Sequence, residues 1–239
     1  MPPTETLITC EHADNGIPPE YEYLFEAANS VLESHRGFDP GTEELGIRLA
    51  STLDTEPIIC RISRLLIEAN RSLHHPRLFS SYTRGLPEME RQKIIDRYYL
   101  PHRHHVERSV KQRTIRGAFV LHISVHSFTP ILDGEVRNAD VSFLYDPRRP
   151  REKEIATEWK KQILRMNPQL RVRFNYPYLG IADGLTTHLR RMYSPGEYAG
   201  LEIEINQRFP LGAPQEWKEV QETVIESLVR LLPDLPPND

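Results

Sequence analysis

Two histidines that follow apolar runs of sequence have the type and placement to hold a metal ion. His12 comes after residues 6–10 and His126 after residues 118–125, two runs typical of buried strands. The carboxyl ends of parallel strands meet at one edge of a sheet, where ligands bind. Neutral imidazole is a common zinc ligand, and a catalytic zinc takes about three protein ligands and keeps one position open. The alternative is that residues 14–16 form a plain turn with His12 as a polar residue beside it.

A pair of carboxylates lies in a third strand-like run. Glu202 and Glu204 alternate with apolar residues over 201–205, so both point to one face of the predicted strand. Burying an acidic face of a strand costs free energy unless the carboxylates have partners or a function. The alternative is that residues 201–205 form an edge strand whose acidic face points to solvent. His122 lies four residues before His126 on the same face and is predicted to be a core histidine or a partner of the site, not a ligand.

An amide and a guanidinium follow a further apolar run. Asn70 and Arg71 come shortly after residues 64–67, which are predicted to form a strand. The guanidinium fork matches a carboxylate in bidentate fashion, so this pair would suit an acidic substrate. A surface salt bridge is the alternative interpretation of Arg71.

The elements that must position these groups follow an α/β pattern, in which strand-like runs alternate with helical ones. We predict a mixed, mostly parallel sheet flanked by helices. Its predicted strands are residues 6–10, 57–62, 64–67, 118–125, 141–145, 172–175 and 201–205. The predicted helices are residues 41–53, 88–112 with a break or kink at Pro101, 152–166 and 216–232, and the last should pack on the sheet through Val220, Val224, Leu228 and Leu231. Residues 74–87 and 175–197 are predicted to be long surface loops.

Length and composition limit the classes of protein to which this chain can belong. The 239 residues are predicted to form one domain over 1–239, and 30 Lys and Arg interspersed with 34 Asp and Glu give a net charge of −4. That balance does not favour binding to nucleic acid or an anionic membrane. No apolar run approaches the roughly 18–20 residues that span a bilayer, and no signal peptide is evident, so we expect a cytoplasmic protein. Cys10 and Cys60 lie in apolar runs and are predicted to be buried free thiols.

Taken in order, these motifs resemble the N-formylglutamate amidohydrolase family, whose members are similar in fold and site to zinc carboxypeptidases. The resemblance covers roughly residues 6–208 and rests on the segments 10–18, 38–45, 63–72, 98–102, 126–128, 183–184 and 201–206. It implies a phosphorylase/hydrolase-like three-layer α/β fold and a single zinc ion as cofactor. The implied reaction is hydrolysis of an amide in a small, acidic N-acyl amino acid, such as the formyl group of N-formylglutamate.

The resemblance also implies roles for single residues. His12 and His126 match the metal histidines of the family, and Glu204 matches the general base of the carboxypeptidases. Asn70 and Arg71 match the pair that binds the carboxylate of the substrate. Arg64 would be a second guanidinium that polarises the scissile carbonyl.

The acidic metal ligand is the least defined part of the predicted site. Carboxypeptidases carry a glutamate three residues after the first histidine, where this sequence has Asn15. Asp39 is the first candidate, because the family pattern carries an aspartate before the helix predicted to begin near residue 41. Glu11 and Asp14 are the other candidates.

Several alternatives stay open at this point. The chain could act on another amide as a carboxypeptidase or deacylase, or it could be a non-catalytic binding domain on the same fold. His102 is a candidate for a contact with the substrate. The sequence does not indicate an oligomeric state.

Overall fold

The strands of the computed structural model, which describes residues 3–235, confirm the predicted sheet in outline. They are Thr4–Cys10 (β1), Ile58–Ile59 (β2), Phe119–Phe128 (β3), Ile131–Leu132 (β4), Glu135–Val136 (β5), Val141–Leu144 (β6), Val172–Phe174 (β7) and Tyr198–Asn206 (β8). Six of them form one sheet in the order β2-β1-β3-β8-β6-β7, and β4 pairs with β5 in a small hairpin. Only the β6–β8 pairing in the large sheet is antiparallel, so the sheet is mixed and mostly parallel.

Helices cover both faces of this sheet and give the predicted three-layer α/β fold. They are Asn29–Leu32 (α1), Thr42–Thr52 (α2), Glu88–Ile94 (α3), Leu100–Ile115 (α4), Pro150–Met166 (α5), Leu185–Met192 (α6) and Pro214–Leu231 (α7). Helices α2, α5 and α7 bury their apolar residues with one face of the strands in the main core, and α4 and α6 bury theirs with the other face. The predicted apolar face of α7 is buried in that main core, as expected.

The predicted strand at 64–67 is wrong. Residues 64–66 form a turn, and the carbonyl groups of Leu65 and Leu66 accept hydrogen bonds from the hydroxyls of Ser80 and Thr83 instead of from a neighbouring strand. The apolar side chains of this segment are buried in a second, smaller core formed by residues 21–28 and 78–99. Burial alone therefore accounts for the apolar run, and no sheet is needed to cover it.

Other boundaries differ from the predictions. The strand predicted at 57–62 is reduced to β2, with one isolated bridge between Gly16 and Ile62. A π-helical turn, Ile95–Tyr99, joins α3 to α4, so Pro101 lies in the first turn of α4, where its missing N–H is tolerated. The loop predicted at 175–197 contains α6, whose Leu185 and Leu189 are fully buried in the core shared with α4. Residues 74–87 lack regular structure, as predicted.

Two further predictions concern the cysteines and the membrane. Cys10 and Cys60 are buried free thiols, as expected from the apolar runs around them. Within residues 3–235, none of the helices has the length and apolarity needed to cross a bilayer.

Candidate metal centre

Three neighbouring strands deliver polar side chains to one edge of the sheet. β1 ends at Cys10, two residues before His12, and β3 carries His126 near its own carboxyl end. Glu204 of β8 lies directly opposite His126 in the parallel β3–β8 register. The edge-strand interpretation of Glu204 is excluded, because β8 lies between β3 and β6 in the sheet.

Asp39, just before α2, completes a compact group with the two histidines. His12 Nδ1 lies 3.2 Å from Asp39 Oδ2 and 3.2 Å from His126 Nδ1, and His126 Nδ1 lies 3.1 Å from the same carboxylate oxygen. All three side chains are buried. Within the part of the chain that the structure describes, this is the group of histidine and acidic residues whose ligand atoms converge closely enough for one metal ion.

The opposite nitrogen of each histidine faces a carboxylate. His12 Nε2 contacts Glu68 Oε1, and His126 Nε2 lies 3.1 Å from Glu11 Oε2. A carboxylate only accepts hydrogen bonds, so each Nε2 carries a hydrogen. If Asp39 Oδ2 binds a metal ion, each Nδ1 can offer its lone pair to the same ion. Arg64 Nη2 also lies 3.1 Å from His12 Nε2, but the Glu68 oxygen is the nearer neighbour.

The donor set fits a zinc ion. Two imidazole lone pairs and one carboxylate oxygen meet at separations of 3.1–3.2 Å. Tetrahedral ligands bound at about 2.0–2.1 Å are themselves roughly 3.3 Å apart. The three atoms therefore have the spacing and the chemistry of a zinc site with one position left for water or substrate.

The remaining oxygen of Asp39 and Oε2 of Glu68 belong to an ion-pair network around Arg64. Its guanidinium donates to Asp39 Oδ1 at 2.9 Å and to Glu68 Oε2 at 3.1 Å. Burial opposes ionisation of both carboxyls, but the charge of Arg64 and the hydrogen bonds with His12 outweigh it and lower the pKa of Asp39 and of Glu68. Both acids are thus held as carboxylates, the form that can ligate a metal or accept from an imidazole.

Glu68 is a site residue that the sequence analysis missed. It lies between two segments that were singled out, the apolar run at 64–67 and the pair Asn70 and Arg71. The only signal was an acidic residue directly after an apolar run. A strand at 64–67 would give no reason for the Glu68 side chain to point toward His12. Residues 64–66 instead form a turn, which directs Glu68 to that position.

Glu204 is buried beside this group without a full set of partners. Its Oε2 has no hydrogen-bond partner among residues 3–235. Burial is the main cause that raises the pKa of Glu204 to about 8, with the negative charge of Asp39 adding to it and His126 opposing it. A carboxyl that changes protonation near neutral pH has the property required of a proton shuttle.

The group opens into a cleft of about 470 Å³. His12, Asp39, His126 and Glu204 line it together with three arginines, Arg64, Arg71 and Arg77, and with apolar and polar residues that include Leu132, Leu144, Tyr178, Leu179 and Glu202. The predicted site residues His12, Asp39, Arg64, Asn70, Arg71, His126 and Glu204 all line this one cleft.

Asn70 and Arg71 are also tied to the backbone near α6. Asn70 Oδ1 accepts from the N–H of Leu185 at 2.7 Å, and Asn70 Nδ2 lies 3.4 Å from His126 Nε2. Arg71 donates to the carbonyl oxygen of Asp183. No carboxylate of the described residues pairs with the Arg71 guanidinium, so its charge is available to the cleft.

The other predicted candidates lie outside the cleft. Asp14 is partly buried and accepts from the backbone N–H of Asn15, and Glu11 faces His126 from behind the cleft. His122 is in the core, where its two nitrogens contact Thr9 Oγ1 and Tyr198 Oη. His102 is buried and does not line the cleft, which does not favour the predicted contact with substrate.

Comparisons with known proteins agree with this architecture. The sequence model of the family described as N-formylglutamate amidohydrolase matches residues 4–209. A solved structure of a gene product from Agrobacterium tumefaciens is 24% identical, covers 95% of this chain and 91% of its own, and gives a TM-score of 0.75. An N-formylglutamate amidohydrolase from Ralstonia eutropha is 17% identical, with 98% and 95% covered and a TM-score of 0.74. At these identities the two structures show a shared fold. No curated protein matches the chain by sequence.

The raised pKa of Glu204 predicts a pH-dependent cost to the metal-free protein. Because the folded pKa lies above the ordinary value of 4.5, the contribution of Glu204 to stability is complete below about pH 4.5 and is lost as the pH rises to about 8. The loss has a limiting slope of roughly 1.4 kcal/mol per pH unit. Glu204→Gln has no such ionisation, so its free energy of unfolding should rise relative to wild type from pH 5 to pH 8.

Urea denaturation in the presence of EDTA at several pH values measures this difference. Parallel pH profiles for wild type and Glu204→Gln would show that burial does not raise the pKa of this carboxyl. Circular dichroism at pH 5, where the difference is smallest, checks that the variant keeps the native secondary structure.

Proposed function

The chain belongs to the N-formylglutamate amidohydrolase family, and we propose that it hydrolyses the amide bond of a small, acidic N-acyl amino acid, most simply an N-formyl one. The products are the acyl acid and the free amino acid. The observation that carries the proposal is the meeting of His12 Nδ1, Asp39 Oδ2 and His126 Nδ1 within 3.1–3.2 Å, beside a buried glutamate and at the wall of a cleft.

We propose that His12, Asp39 and His126 hold one zinc ion. Two imidazoles and a carboxylate, with one open position, are a usual donor set for catalytic zinc. A zinc ion bound there would supply Lewis acidity to the scissile carbonyl and to the attacking water. Glu11 and Glu68 fix the imidazoles from behind, and Arg64 holds Asp39 and Glu68 through its two ion pairs.

Glu204 is the proposed general base and then the general acid. It lines the cleft beside His126, and one of its oxygens has no partner among the described residues and is free to take a proton. In the proposed reaction its carboxylate removes a proton from the attacking water as the new C–O bond forms. It then returns that proton to the amide nitrogen as the C–N bond breaks, which releases the amine.

The acidic end of the substrate would bind to the arginines of the cleft. Arg64 is engaged by Asp39 and Glu68, which supports a role in orienting these carboxylates in place of the predicted contact with the scissile carbonyl. Arg71 and Arg77 line the cleft, and neither pairs with a carboxylate of residues 3–235. A substrate carboxylate would pair with Arg71 and neutralise its charge. The family resemblance in the sequence also assigns this guanidinium to substrate binding.

The metal content of the protein tests the proposed centre. Purified without chelator, the wild type should contain about one zinc per chain, since a catalytic site of this kind holds one ion. His126→Ala should lose that zinc because it removes one of three ligands. His102→Ala is the matched control: it also removes a buried histidine, but one outside the ligand group, and should keep the zinc. Equal zinc in both variants, measured by atomic emission, would contradict the ligand assignment.

A substrate panel tests the proposed reaction. The zinc-loaded enzyme should release amine from N-formyl-L-glutamate faster than from N-formyl-L-glutamine, because only the former offers a side-chain carboxylate to the arginines. Glu204→Gln should keep its zinc and lower kcat by roughly 10²–10⁴-fold, the usual range for general acid–base catalysis. Normal turnover in this variant would remove the proposed base. N-acetyl-L-glutamate and a dipeptide in the same panel separate a deformylase from a deacylase or a carboxypeptidase.

A further inference from the structure

Glu11 is a fully buried carboxylate that turns away from the cleft. It directly precedes His12, yet it is not among the residues that line the cleft, and its side chain has no exposed surface. Two side chains of β3 contact the same oxygen of Glu11. Ser124 Oγ donates to Oε2 at 2.5 Å, and His126 Nε2 lies 3.1 Å from it. Glu11 is thus in contact with the rear of one proposed metal ligand.

This contact decides which nitrogen of His126 is free to bind a metal. A carboxylate accepts only, so Glu11 keeps a hydrogen on Nε2. Asp39 Oδ2 faces Nδ1 at 3.1 Å, and when that oxygen binds a metal, Nδ1 offers its lone pair to the same ion. Ser124 Oγ, 2.9 Å from Nε2, directs its own hydrogen to Glu11 and offers the ring a lone pair, which favours the same tautomer. Asn70 Nδ2 is the more distant neighbour of Nε2, at 3.4 Å.

Glu11 and Glu152 are two buried carboxylates with different partners. Glu11 Oε1 has no hydrogen-bond partner among residues 3–235, and His126 is the basic residue within ion-pair distance. Glu152 is equally buried but fully matched: its oxygens accept from the Arg190 guanidinium and from the backbone N–H groups of Asp146 and Gly200. Each of these buried carboxylates thus has one basic partner, His126 for Glu11 and Arg190 for Glu152, and neutralising either one breaks a buried ion pair.

We infer that Glu11 is a positioning residue, which holds His126 with its Nδ1 lone pair toward the metal. The inference rests on the proposed metal centre. It requires that neutralising Glu11 lowers the affinity for zinc, whereas neutralising Glu152, whose partners are Arg190, Asp146 and Gly200, leaves that affinity unchanged.

The test compares Glu11→Gln with Glu152→Gln in the full chain. Competitive titration against a chromophoric chelator should give a zinc Kd raised about ten- to a hundredfold in Glu11→Gln, the range for loss of an outer partner of a metal histidine. Thermal unfolding in EDTA should give this variant a midpoint below that of wild type, because the substitution breaks the buried pair with His126. Glu152→Gln leaves Arg190 buried without its carboxylate, so its midpoint should fall while its zinc Kd stays that of wild type.

The inference is overturned if Glu11→Gln binds zinc as tightly as wild type, or if Glu152→Gln weakens zinc binding as much as Glu11→Gln does. Ser124→Ala is an independent second variant: it removes the hydroxyl that holds Glu11 and should raise the zinc Kd by a smaller factor. Unchanged zinc binding in Ser124→Ala, together with a Glu11 variant that does not fold, also overturns it.

The same titrations separate this inference from the proposed function. A wild type that binds no zinc would overturn the metal centre and, with it, the role of Glu11. A wild type that binds zinc but hydrolyses none of the N-acyl amino acids would overturn the reaction alone, and the comparison of Glu11→Gln with wild type would still decide the role of Glu11.

Discussion

The candidate site depends on the repulsion between three lone pairs that the fold brings to one point. His12 Nδ1, His126 Nδ1 and Asp39 Oδ2 lie 3.1–3.2 Å apart in a buried environment, where water does not screen them. A positive charge between the three atoms, from a proton or a metal ion, relieves this repulsion. Without metal, that is a proton: burial opposes a charge on His126, but the hydrogen bonds to Asp39 and Glu11 outweigh burial and raise the pKa of the ring. A zinc ion would satisfy all three atoms at once and displace that proton.

The rest of the fold keeps these atoms from relaxing apart. β1 and β3 are hydrogen-bonded neighbours, so the backbones before His12 and around His126 are fixed by the sheet. The far side of each ligand is held as well, His12 by Glu68, His126 by Glu11 and Asp39 by Arg64. The segment that carries Arg64 and Glu68 is anchored by the apolar side chains of residues 65–67, which are buried in the smaller core. Ligand groups held on both sides lose little entropy when a metal binds.

Much of this could be predicted from the sequence, because strand ends obey simple geometry. Apolar runs before His12 and His126 predict parallel strands, and parallel strands place their carboxyl ends together. Alternation over 201–205 correctly puts Glu202 and Glu204 on the cleft side and the apolar residues in the core. The family resemblance added Asp39, which no periodicity could have selected.

The errors share a physical cause. A short apolar run indicates that a segment is buried, but it does not indicate whether a sheet or another element covers it. The segment 64–67 is buried by a satellite core instead of a sheet, and the mistake concealed Glu68. Helix α6 was missed because Gly, Pro and Tyr dominate its flanks, while its own Leu185 and Leu189 are too few to show a helical period. Glu11 was considered as a ligand, but adjacency in sequence to His12 does not tell whether a side chain faces the cleft or the core.

The measurement that tests this account most directly is anomalous diffraction at the zinc absorption edge from crystals of the wild-type protein grown with one equivalent of zinc. The account predicts one strong peak within bonding distance of His12 Nδ1, His126 Nδ1 and a carboxylate oxygen of Asp39. A peak bound through Nε2 of either histidine, or a zinc ion elsewhere with this group left empty, would contradict it.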